Sequence, residues 1–77
     1  MDLRQVFAAN LRRMRHGKGL SQENLAYEAG VNRSYLSKVE KGDTYVGLEI
    51  IGKLATVLGV EPADLLKLPA KRASRRS

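Results

Sequence analysis

The chain contains no cysteine and no tryptophan, one histidine, one phenylalanine and two prolines. Without cysteine there is no disulfide and no thiolate metal site, which fits a reducing, cytoplasmic setting. His16 alone cannot build a metal cluster, so no metal or other cofactor is expected. The sequence offers no paired acid–base set, no nucleophile–histidine arrangement and no phosphate-cradling loop, so an enzyme is not expected. Long apolar runs are missing too. The longest such segment, LEIIGKLATVLGV, is broken by Glu49 and Lys53 and falls short of the roughly 20 residues of a membrane span. The N-terminus, MDLRQVFAANLRRMRHG, lacks the apolar core and small-residue cleavage site of a signal peptide. Seventy-seven residues suit a single core.

Charge is present in excess and unevenly placed. The net charge of +6 divides into a basic front half, a mildly acidic centre and a basic end. Residues 1–42 carry eight Lys/Arg against four Asp/Glu, residues 43–70 carry two against four, and residues 71–77 carry four with no acid. A basic front half suits a polyanion such as nucleic acid; charge alone equally suits a solubility surface.

Apolar spacing predicts an all-α chain of five helices. Leu3, Val6, Phe7, Leu11 and Met14 recur at three- and four-residue steps and form one stripe. Asp2 opens that helix, Arg12, Arg13, Arg15 and His16 crowd its end, and both choices suit the helix dipole. Gly17 and Gly19 stop it. Ser21 is an N-cap for a second helix, with Leu20 before it and Leu25 inside it as a hydrophobic staple. Gly30 ends that helix and the pattern repeats: Val31 precedes the cap Asn32, Leu36 completes the staple, and Gly42 stops helix three. Two short helices split by Gly30-Val31-Asn32 must turn sharply, which outlines a helix-turn-helix. A fourth helix is expected from about Leu48 to Leu58. A fifth, opened by Pro62 and closed by Pro69, covers PADLLKL. One domain, residues 1–69, is expected, followed by a basic tail at 70–77 with no apolar periodicity, which predicts disorder.

The stretch GLSQENLAYEAGVNRSYLSKVEKG resembles the phage repressor and Cro-like (Xre-type) helix-turn-helix family. Its matching residues are Gly19-Leu20-Ser21-Gln22-Glu23, Leu25-Ala26, Gly30-Val31 and Leu36-Ser37-Lys38-Val39-Glu40-Lys41-Gly42. The likeness extends over about residues 3–68. Within it, RSYLSKVEKG and LEIIGKLATVLGVEPADLL look like the small controller proteins of restriction–modification systems. The loop Asp43–Gly47 departs from the pattern, since many members have a proline near Val46 or Gly47.

The resemblance implies a transcription regulator whose third helix lies in the major groove of double-stranded DNA. Carried over by position, Asn32, Arg33, Ser34, Ser37 and Lys38 face bases, while Gln22, Tyr35, Lys41 and Thr44 face the backbone. Arg15 and Glu40 fall where the family joins helix one to helix three by a partly buried ion pair. Each DNA-facing assignment has a plainer counterpart: Asn32 caps its helix whatever it binds, Tyr35 can pack on helix two, and Arg33 and Lys38 can be merely solvated. The alternative, of a different class, is that this chain is a protein-binding module of the same fold, an antitoxin or a transcription cofactor that docks another protein.

Helix four carries two apolar strips, Ile50/Leu54/Val57 and Leu48/Ile51/Ala55/Leu58. Together they are wider than the stripe of about 100° that a surface helix needs. The surplus predicts a homodimer with Ile50, Val57, Leu65 and Leu68 in the interface; the alternative is that helix five simply covers the second strip. A two-fold pair would double the base contacts on a palindromic operator. No small-molecule effector domain is expected.

Overall fold

The computed structural model describes residues 1–68 and, among them, is entirely helical: α1 (Leu3–Gly17), α2 (Gln22–Ala29), α3 (Arg33–Lys41) and α4 (Leu48–Leu58), followed by a 3-10 turn, Pro62–Leu66. The predicted tail at 70–77, and Pro69, lie outside the described residues. No helix among those described is long and apolar enough to cross a membrane.

Local chemistry places the helix starts. The side chains of Asp2, Ser21 and Asn32 each accept a hydrogen bond from a backbone amide of the first turn, at Arg4, Asn24 and Tyr35. These amides have no partner within their own helices, so each cap satisfies a group that folding would otherwise strand. The turn between α2 and α3 depends on Gly30, whose φ of 70° is left-handed. That conformation lets Val31 N reach Ala26 O at 2.9 Å and closes α2 before Asn32 caps α3.

Burial then fixes the arrangement. α1 packs on α3 and on the 3-10 turn, while α2 packs on α3 and α4. The core is Phe7, Leu11, Leu25, Ala26, Ala29, Leu36, Val39, Ile51, Leu54, Ala55, Leu58 and Leu65. Emptying one of its leucine sites by substitution to alanine costs about 2–5 kcal/mol. On α4 the buried face is Ile51, Leu54, Ala55 and Leu58. Ile50 and Val57 flank it half-buried, and Leu48 stands 86% exposed.

The expected fifth element is present from Pro62, in 3-10 rather than α form, and one interface assignment does not hold. The fifth helix is a five-residue 3-10 turn, its first turn tied by a bond from Glu61 N to the Asp64 carboxylate. The side chain of Lys67, then the Glu61 amide, hold that carboxyl below its usual range. Nor is Leu65 an interface residue: it is completely buried within the protomer. The cause is Asn10 of α1, itself only 6% exposed. Asn10 Nδ2 donates to Leu65 O and to Lys67 O, both at 2.9 Å, and draws the turn down onto α1. Asn10 stands in the apolar stripe of α1, seven residues after Leu3 and one before Leu11. A polar residue in that place signals a buried backbone partner, and sequence reasoning passed over it.

Candidate nucleic-acid interface

α3 divides cleanly into two faces. Leu36, Val39 and Glu40 are buried, whereas Arg33, Ser34, Lys38 and Lys41 are exposed and Ser37 is half-buried. The exposed set recurs at helical spacing and so occupies one side of the helix. With Gln22 from the start of α2 it lines a shallow, open concavity of about 310 Å³. Three of the six lining side chains are cationic and none is acidic. A surface of this kind attracts an anion and offers donors from guanidinium, ammonium, hydroxyl and amide groups.

The structure brings together Arg33, Ser34, Ser37, Lys38, Gln22 and Lys41 in that concavity. The other three residues assigned to DNA from the sequence are placed differently. Asn32 is exposed at the tip of α3, its Oδ1 occupied by Tyr35 N at 3.2 Å. Tyr35 packs against the core and donates its hydroxyl to Tyr45 O at 3.2 Å. Thr44 donates to that same carbonyl at 3.4 Å and lines a separate apolar depression with Leu3, Phe7, Val46 and Ile51. Tyr35 therefore ties the middle of the Asp43–Gly47 loop to α3.

Below the exposed face sits a polar hub. Arg15 donates to both oxygens of Glu40, Nε to Oε2 at 2.7 Å and Nη2 to Oε1 at 3.0 Å. The Glu40 side chain is 3% exposed and that of Arg15 12%. Arg15 also donates through Nη1 to Leu20 O at 2.8 Å, which holds the entry to α2. Gln22 Nε2 adds a third bond to the Glu40 carboxylate, at 3.1 Å. One buried carboxylate thus joins α1, α2 and α3. A charge so deeply placed requires such partners, since burial without them is costly.

The model of the helix-turn-helix domain family matches residues 6–68. The chain is 45% identical over 71 residues to a Neisseria meningitidis protein described as a hypothetical transcription factor, covering 92% of this chain and 67% of that one. It is 41% identical over 66 residues to control protein C.BamHI of Bacillus amyloliquefaciens, covering 84% of this chain and 82% of that one. Among solved structures, the restriction–modification controller protein C.AhdI of Aeromonas hydrophila superposes with a TM-score of 0.78 at 48% identity, over 80% of this chain and 94% of that one.

Proposed function

The chain belongs to the helix-turn-helix family of DNA-binding transcription regulators, and on that premise we propose that it acts as a homodimer on a palindromic operator, as a controller of restriction–modification genes. The observation that carries this reading is the gathering of Arg33, Ser34, Ser37, Lys38 and Lys41 with Gln22 on one exposed, acid-free surface.

The chemistry follows from the shape of duplex DNA. A major groove about 12 Å wide admits one helix, and the edge of each base pair presents its own pattern of donors and acceptors. Arg33 stands in the first turn of α3, the part of a recognition helix that meets base edges. Its guanidinium can donate two parallel bonds to guanine O6 and N7. Lys38, five residues further on at the other edge of the exposed face, supplies a second donor. Asn32 accepts from its own helix through Oδ1 and retains its amide N–H groups for a base. Ser34 and Ser37 can donate or accept.

Backbone contacts set the register. Gln22 stands at the N-terminus of α2, where amide groups favour a phosphate. Lys41, at the other end of the surface, adds a charge without base identity. One recognition helix touches too few base pairs for selectivity in a genome, and a two-fold axis doubles the site. Ile50, Val57 and Leu68 remain as the apolar positions proposed for self-association; Leu68 is 54% exposed.

Selection from random duplex DNA with the full chain tests this reading. An inverted repeat with half-sites about one helical turn apart is expected, roughly 34–36 Å centre to centre. Binding should also fall steeply with salt. Failure to enrich any sequence would remove the regulator reading, and enrichment of an isolated half-site would remove the dimer.

A further inference from the structure

Gln5, Arg12 and Arg15 follow one another on α1 at steps of seven and three residues, so they share one edge of the helix. All three reach the last turn of α3. Arg15 grips the Glu40 side chain. Arg12 Nη1 donates to the backbone carbonyl of Glu40. Gln5 Nε2 donates to the carbonyl of Gly42 at 3.4 Å. The final carbonyls of a helix have no partner within it, and Arg12 also brings positive charge to the negative end of the α3 dipole. Gly42 is suited to this clamp on two counts. Its φ is 77°, and a Cβ there would collide with the Gln5 amide.

We propose that Gln5 and Arg12 are positioning residues for DNA reading, fixing the roll of α3 by holding its C-terminal backbone against α1. This rests on the reading of α3 as the recognition helix. Leu36 and Val39 seat α3 by apolar burial, which has no preferred direction. Apolar burial along one stripe of a nine-residue helix supplies no directional contact that would fix its roll. The side chains of the exposed arc, from Arg33 at one edge to Lys38 at the other, would swing with it. Directional bonds at the last turn resist that roll. The ion pair anchors one side chain; Arg12 and Gln5 anchor the main chain itself.

The test uses the full chain and the duplex selected by the wild type. Affinity is measured for that duplex and for an unrelated one of equal length, at one salt concentration. The variants are Gln5→Met, Arg12→Met and Arg12→Lys, each checked for folding by circular dichroism. Gln5→Met preserves length and changes no charge, so it separates pose from electrostatics. The ratio of selected to unrelated affinity should fall about two- to tenfold in Gln5→Met and in Arg12→Met, the equivalent of one net hydrogen bond. Arg12→Lys should restore most of the loss. An unchanged ratio in folded Gln5→Met would overturn the proposal. So would an equal loss on both duplexes in Arg12→Met, which would make Arg12 a bare charge near phosphate. If Gln5→Met fails to fold, Gln5→Asn, which keeps the amide but shortens its reach, is read by the same ratio and the same criteria. A wild-type chain that prefers no duplex would remove the recognition-helix reading itself, a result distinct from loss of preference in the variants alone.

Discussion

Glu40 and Gln22 lie on different helices, 18 residues apart, yet Gln22 Nε2 donates to Glu40 Oε1 at 3.1 Å. An amide nitrogen carries two N–H groups. One is committed to Glu40, and the other is free to meet a phosphate. The buried ion pair that joins α1 to α3 therefore also holds the side chain at the start of α2, so stability and the proposed DNA contact share one carboxylate.

Arg15→Met should be severely destabilising. It strands the Glu40 carboxylate, whose side chain is 3% exposed, with the Gln22 amide as its remaining side-chain donor. Losing one partner of a buried pair costs about 3–5 kcal/mol, while replacing both partners by apolar residues is often close to neutral. Urea unfolding of Arg15→Met and of Arg15→Met/Glu40→Leu gives the comparison. Equal stability of Arg15→Met and wild type would mean that the pair is solvated.

Gln22→Ala and Lys41→Ala should weaken binding about equally on all duplexes, because phosphates carry no base identity. Only Lys41→Ala should make the salt dependence shallower, by about one unit of slope. The measurement is affinity across a salt series on selected and unrelated DNA. A change in base preference in either variant would contradict this division of labour.

Leu65→Glu should unfold the protomer, because it drives a charge into a site with no solvent exposure. Leu68→Glu should remain helical, since its position is already 54% exposed. If Leu68 belongs to the self-association face, that variant shifts toward monomer in sedimentation. A Leu68→Glu protein as dimeric as wild type would place the interface elsewhere on the surface.

The caps and stops were legible because each is a local device. Asp2, Ser21 and Asn32 announce helix starts by side-chain chemistry, and Gly30, Gly42 and Gly59 occupy left-handed positions that few other residues tolerate. The division of α3 into Leu36/Val39 and Arg33/Lys38 faces was equally visible, since helical period alone sorts them. What escaped was non-local. Nothing in the spacing of PADLLKL shows that Asn10, 55 residues from Leu65, captures its carbonyl and carries the leucine into the core. Apolar width on α4 suggests a surplus, but the protomer itself buries Leu65 of the following turn. Gln5 and Arg12 were missed for a related reason. Their partners are backbone carbonyls, which every residue possesses and no sequence pattern marks.

The central claim is that the exposed face of α3 reads base edges, with Arg33 as its main donor. The most direct test is the affinity of wild type and Arg33→Ala for a panel of single-base variants of the selected operator. Arg33→Ala should lose about 1–3 kcal/mol on the parent sequence and become indifferent at one base pair in each half-site, with the other preferences kept. A variant whose preference profile matches the wild type at every position would contradict the account, whatever its overall affinity.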